Sequence, residues 1–142
     1  MEVWAFRLKG GRAFECRLKD FVPSLDRFYL GGASSIRGYD ENSLGPTDST
    51  GTAVGGKIFT LVNVEYRKAL FGKVGWSMFL DWGNVWLETE NVALKDMRLS
   101  GGLGLQYFSP LGPIRLDYGR RLLQGQEGLK GGRLHLSILY AF

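Results

Sequence analysis

The sequence predicts an all-β fold: the antiparallel sheet of a transmembrane β-barrel, carried as one domain over residues 1–142. Three observations predict it. Apolar and polar residues alternate with period two in six segments, the pattern of a strand with one face out of water. The apolar faces carry or end in Tyr66, Trp76, Trp82, Tyr107, Tyr118 and Tyr140, and barrels set such rings at the two bilayer interfaces, half buried and half wet. Finally, the joins between segments are alternately long and short, as in outer-membrane barrels with short periplasmic turns and long external loops.

The segments follow in order. The first sets Trp4, Phe6 and Leu8 against Ala5, Arg7 and Lys9. The second sets Ile58, Thr60, Val62, Val64 and Tyr66 against Phe59, Leu61, Asn63 and Glu65. The third sets Val74, Trp76, Met78, Leu80 and Trp82 against Gly75, Ser77, Phe79 and Asp81. The fourth sets Leu99, Gly101, Leu103, Leu105 and Tyr107 against Ser100, Gly102, Gly104 and Gln106. In the fifth, Ile114, Leu116 and Tyr118 oppose Arg115, Asp117 and Gly119. In the sixth, Leu134, Leu136, Ile138, Tyr140 and Phe142 oppose Arg133, His135, Ser137, Leu139 and Ala141. A soluble sandwich has the same period. The face opposite the apolar one is rich in charge, glycine and serine, as a wet lumen is, and segments of about 9–11 residues suit a tilted spanning strand.

"RKALFGK" joins the second segment to the third and "FSPLGP" the fourth to the fifth. The other joins are long: a loop over about residues 17–56, then Leu87 to Met97, then Arg120 to Gly132. On this reading the chain finishes on the periplasmic side. Six strands are too few to close a barrel, since about eight is the smallest number whose interior side chains fill. An open edge in lipid leaves backbone groups unpaired at several kcal/mol each. The sheet is therefore incomplete as a monomer, and further strands come from a longer chain, a homo-oligomer or another chain.

Composition sets outer bounds. A net charge of +4, scattered along the chain, does not point to nucleic acid. One cysteine, Cys16, allows no internal disulfide and reads as a small filler. There is no run of eighteen apolar residues and hence no membrane-spanning helix. No basic, apolar leader opens the sequence, which suggests a mature or engineered start or a piece of a longer chain. His135 is the lone histidine, by parity a lumen-wall residue. No carboxylate cluster suggests a metal, no glycine-rich phosphate loop precedes a helix, and no serine has a base partner. The reading is a non-enzyme with no cofactor and no metal.

The long loop contains "RFYLGGASSIRGYDENSLGP". Structureless loops of this length are uncommon in compact domains and usually carry function. Phe28, Tyr29, Leu30, Ile36 and Tyr39 make it too apolar for a solvent tether. In order along the chain stand "GGASSIRGY", "LGP", "GG" ahead of "VNVEYR", "FLDWGNVW" and "GLGLQYFSPLGPIRLDYG". This series resembles the C-terminal half-barrel of the BamA/TamA outer-membrane assembly-factor superfamily, also called the surface-antigen barrel. The resemblance implies that Ile36, Arg37, Gly38 and Tyr39 form a motif on an external loop that folds back into the lumen. It also implies that Arg37 meets Glu65, Asp81 or both. A planar guanidinium suits bidentate pairing with a carboxylate, Gly38 permits close backbone approach, and Tyr39 would stack on the wall. "HLSILYAF" resembles the terminal targeting strand of such barrels, with His135, Tyr140 and Phe142 in place and Ser137 where glycine is usual.

The residues alone leave other readings open. Arg37 could be a solvated loop arginine, Asp81 a turn-flank carboxylate before Gly83 and Asn84, and Glu65 a partner of Arg67 or Arg115 in a lumen charge ladder. Arg115 and Asp117 are expected to do only that. The resemblance implies a function in assisting insertion and folding of β-barrel proteins in the outer membrane of a bacterium, or of an organelle of bacterial descent. Its partners are then the lipid bilayer and nascent outer-membrane proteins. The alternative is a translocation pore or membrane anchor of the same superfamily, of two-partner-secretion type or linked to a patatin-like lipase.

Overall fold

The computed structural model describes residues 2–14, 23–88, 92–110, 112–123 and 131–138. Cys16, Tyr140 and Phe142 lie outside the described residues. The elements are β1 (Glu2–Arg12), β2 (Ile58–Phe71), β3 (Val74–Trp86), β4 (Arg98–Ser109), β5 (Gly112–Leu123) and β6 (Gly132–Ile138), with single 3-10 turns at Ser24–Asp26 and Leu94–Asp96. The six strands form one antiparallel sheet in chain order. Among the described residues β1 and β6 do not pair with each other, so the sheet is unclosed.

The ladders run past the apolar segments. β2 has 14 residues and β3 has 13, so "RKALF" is strand and only Gly72 and Lys73 turn. A bulge between Ala69 and Phe71 re-aims the strand end, and Gly72 takes φ 56°, a left-handed conformation natural to glycine. The sequence placed the join too early because its alternation fades where the strand leaves the apolar band, although backbone pairing continues.

Register aligns the alternation across the sheet. Asn63, Asp81 and Ser100 lie in one inward row, and Glu65, Phe79, Gly102, Gly119 and Arg133 in the next. Arg67, Ser77, Gly104, Asp117 and His135 form a third. The outward rows are apolar and uncovered: Trp4 is 61% exposed, Leu103 58% and Leu136 68%. A sandwich would bury that face. Here the buried apolar cluster, Leu30, Ile36, Tyr39, Leu44, Leu61 and Val85, lies between the long loop and the inner face of β2 and β3. Burial of loop side chains, rather than a second sheet, supplies the hydrophobic contact inside.

Candidate functional site

The loop is fastened at its root before it reaches its tip. Phe28 bridges Gly56, Leu30 bridges Leu44 and Thr47 bridges Ala53, all antiparallel. The Phe28 ring packs on Phe59 with centroids 4.6 Å apart. Between Leu30 and Leu44 the chain doubles back. Gly31 N–H donates to Ser35 Oγ at 2.8 Å, and Gly32 N–H to the Ile36 carbonyl at 3.2 Å. The tip so formed presents Ile36 to Tyr39 to the concave face of the sheet. Ile36 is fully buried against the bare backbone of Gly83, where a methyl group would stand 3.1 Å from its Cδ1.

Arg37 is 2% exposed. Its Nε donates to Asp81 Oδ2 and its Nη2 to Asp81 Oδ1, each at 2.8 Å, a two-pronged fork. Its backbone N–H also donates to Asp81 Oδ2, at 3.0 Å. Nη1 reaches Glu65 Oε2 at 2.7 Å and Asp117 Oδ2 at 3.4 Å. The guanidinium carbon lies 3.5 Å from the centre of the Phe79 ring, close enough for a cation–π contribution. One loop side chain thus binds β2, β3 and β5 together.

The carboxylates are themselves held. Glu65 Oε1 takes Arg115 Nη2 at 2.9 Å and Arg67 Nε at 2.5 Å, and Asp117 Oδ1 takes Arg115 Nη2 at 3.2 Å. Asn63 Nδ2 donates to Asp81 Oδ1 and to the Ser35 carbonyl, both at 2.7 Å, tying partner and loop in one amide. From β1, Arg7 donates to Asn63 Oδ1 at 2.9 Å and to the Ser34 carbonyl at 2.8 Å. Glu65 and Asp81 are 0% exposed and Arg115 and Asp117 2%. At such burial, removing one charge leaves the others uncompensated, a loss of about 3–5 kcal/mol in comparable pairs.

Glycines make the approach possible. Gly38 takes φ 91° and lies against Gly119, where a methyl group would fall 2.6 Å from Gly38 N. Gly104 leaves space for Asp117, and Gly102 for the Phe79 ring. On the far side Gly38 N–H donates to His135 Nε2 at 3.0 Å and its carbonyl accepts from Arg121 Nε at 3.0 Å. Tyr39 is 4% exposed, its hydroxyl donates to the Leu123 carbonyl at 3.3 Å, and Arg121 lies over its ring at 4.7 Å. Asp40 accepts from Arg133 at 2.8 Å.

The structure therefore brings Arg37 together with both Glu65 and Asp81, and sets Gly38 and Tyr39 against β5. One expectation needs correction and another is extended. Asp117 and Arg115 are more than a side ladder, because Asp117 touches Arg37 and Arg115 bridges Asp117 to Glu65. His135, read as wall and targeting residue, accepts a hydrogen bond from the loop tip. Inward parity marked both positions, but period two says which face a residue joins and nothing of which residue on another strand or loop it meets. Among the described residues no group of three or more His, Cys, Asp or Glu side chains is placed to hold a metal ion.

A family model described as the Omp85 superfamily domain matches residues 2–142. The chain is 34% identical over 137 residues to the outer membrane protein assembly factor BamA of Nitratidesulfovibrio vulgaris, covering 93% of this chain and 17% of that protein. It is 31% identical over 121 residues to the chloroplastic outer envelope protein 80 of Arabidopsis thaliana, covering 80% of this chain and 15% of the relative. The fold is similar to the crystal structure of BamA from Haemophilus ducreyi lacking POTRA domains 1–3, with TM-score 0.63 and 22% identity over 94% of this chain and 32% of that one. The chain thus spans only a small part of the length of its curated relatives.

Proposed function

Since the chain belongs to the Omp85 superfamily, we propose that it is the loop-bearing wall of an assembly-factor barrel that assists β-barrel proteins to insert and fold. Its location is an outer membrane, of a bacterium or of an organelle of bacterial descent. The observation that carries the reading is the buried Arg37, bound to carboxylates on three strands. We read Ile36 to Tyr39 as a lock. The long loop, external at its root, is drawn into the lumen by apolar burial of Ile36 and Tyr39 and is fixed there by charge. A wall so braced holds its curvature while strands elsewhere in the barrel open. A nascent outer-membrane protein then finds a fixed template to pair with in a bilayer locally disturbed by mismatch. No bond is made or broken, and the partners are lipid and unfolded barrel chains.

The test uses the full-length protein reconstituted into liposomes, with the folding rate of an outer-membrane barrel as readout. The native protein should accelerate folding, and Arg37→Ala should lose most of that acceleration while still residing in the membrane. A native protein that conducts ions or exports one dedicated partner without speeding barrel insertion would replace this reading with the pore or anchor of the same superfamily.

A further inference from the structure

Arg120 stands on the wrong face. β5 sends Ile114, Leu116, Tyr118 and Leu122 outward with it, while Arg121 and Asp117 point inward. Arg120 is exposed, and among the described residues no carboxylate lies within ion-pair distance of it. Its cross-strand neighbours are both glycines, Gly101 on β4 and Gly132 on β6, so neither pairs a side chain of its own with it. The Tyr118 ring leans over Gly132, where a methyl group would fall 2.2 Å from the Tyr118 hydroxyl. Arg120 and Tyr118 are therefore neighbours, two residues apart on the outward side of β5, in an otherwise apolar surface.

Beside this pair opens a groove of about 440 Å³ whose floor includes Gly101, with Leu80, Leu103 and Leu122 around it and Val64, Tyr66 and Trp4 further along. A methyl group on Gly101 would stand 3.0 Å from both Leu80 and Leu122, so these two leucines close over the glycine and wall the groove at that end. An occupant must offer an anion to Arg120 and an apolar tail to the groove. We propose that this is a lipid-phosphate site: the phosphate of an anionic bilayer lipid pairs with Arg120, Tyr118 donates its hydroxyl, and one acyl chain lies in the groove against Leu80, Leu103 and Leu122. Arg120 shares a row with Leu80, two residues short of Trp82, or roughly 7 Å of strand. A flexible stem spans that distance to the headgroup level by snorkelling. An arginine fork matches a phosphate better than a lysine point charge does.

The inference rests on the outward face lying in lipid. The experiment is native mass spectrometry of the full-length protein from maltoside micelles with dimyristoyl phosphatidylglycerol added. The native protein should retain one lipid more than Arg120→Gln, with binding of that lipid weakened about tenfold in the variant. Arg120→Lys should retain a part of it, and a glucosyl diacylglycerol with the same chains should be held as weakly by the native protein as by Arg120→Gln. Equal retention by native protein and Arg120→Gln, equal retention of the glucolipid, or displacement by millimolar inorganic phosphate would overturn the site, the last by showing a free-anion site. Quenching of the protein's tryptophans by dibrominated lipid in vesicles separates the two readings. Quenching with equal lipid retention overturns this site and leaves the barrel, whereas no quenching of the native protein removes both.

Discussion

The two faces of this sheet are made by the same strands and the same residues in alternation, yet opposite forces order them. The outer face is apolar and unpaired: Leu103, Leu105, Leu116 and Leu136 stand exposed with no second layer over them. The inner face sets Glu65, Asp81, Arg115 and Asp117 almost wholly out of solvent, and a loop arginine completes them. Sheets in water bury the apolar face and solvate the polar one. This one inverts the rule, so its inner polar groups depend on one another, and most find partners, although Ser100 Oγ and Arg115 Nε are buried with no hydrogen-bond partner. Asp81 alone accepts four hydrogen bonds, from Arg37 Nε, Nη2 and backbone N and from Asn63 Nδ2. What the contrast teaches is where specificity resides. The outer face asks only for apolar side chains, whereas the inner face depends on particular charges meeting at particular atoms.

The sharpest way to break the comparison is to remove the charge that completes the inner face. Arg37→Ala in the full-length protein leaves Glu65, Asp81 and Asp117 short of a cation, at about 3–5 kcal/mol. That energy holds the loop rather than the ladder, so limited proteolysis should begin within residues 27–57 while the strands stay protected. Arg37→Lys should recover little, because an ammonium cannot fork onto Asp81. A loop equally protected in both variants would show that apolar burial of Ile36 and Tyr39 suffices and that the ion pairs add nothing. The outer face gives the mirror experiment. Leu103→Arg places a charge on a surface that already looks exposed, where in water it would cost almost nothing. In lipid near the midplane it should cost about 2–4 kcal/mol, read as a lower denaturant midpoint in vesicles. The same substitution with no effect in vesicles would remove the assignment of that face to the bilayer.

A smaller effect sharpens how the faces meet the loop. Gly119→Ala inserts a methyl group against Gly38 N at 2.6 Å, and overpacking of this order costs about 1–3 kcal/mol. The loop should be displaced as by Arg37→Ala, though less completely, with Glu65 still paired to Arg67 and Arg115 and Asp117 to Arg115. Gly102→Ala acts elsewhere first, since its methyl group would meet the Tyr118 carbonyl at 1.9 Å on β5 before it meets the Phe79 ring at 2.6 Å. A Gly119→Ala protein with native loop protection would place the close approach of Gly38 outside the energetics of docking.

The sheet was legible because period two is a local property. Each inward and outward residue could be assigned from its own segment, as Val62 against Asn63 or Leu80 against Asp81. The meeting of Arg37 with Glu65 and Asp81 was legible only through the ordered motifs of a family, since residues 28 and 44 positions away share no local signal. Asp117 and His135 were read as wall because what recruits them is the depth to which the loop descends, a tertiary quantity. The glycines at 102, 104 and 119 looked like ordinary polar-face filler, and their use as clearance for Phe79, Asp117 and Gly38 appears only when the layers are stacked. Strand ends were misjudged for a related reason, since backbone pairing outlasts the apolar band that alternation detects.

The smallest effect tests the comparison from outside both faces. Asp48, on the exposed part of the loop, accepts from Thr50 Oγ1 at 2.6 Å, Thr50 N–H at 2.8 Å and Thr52 N–H at 3.0 Å. These bonds hold its carboxyl below the ordinary value of 3.8, the hydroxyl of Thr50 contributing most. The sign follows: the folded group binds a proton less readily than the unfolded one, so the stabilisation is present above the ordinary value and fades as pH falls through the lowered one. The protection of the Thr50 and Thr52 amides, taken against the intrinsic exchange rate at each pH, should therefore fall on acidification below about pH 4, and Asp48→Asn should flatten the response. Protection of the Arg37 and Gly38 amides should not change across the same step, because Asp48 is open to water and a local turn is all it holds. A joint loss of protection at Thr50 and at Gly38 would mean that the loop opens as one unit, and that the buried charges of the inner face and the solvated turn are parts of a single cooperative element.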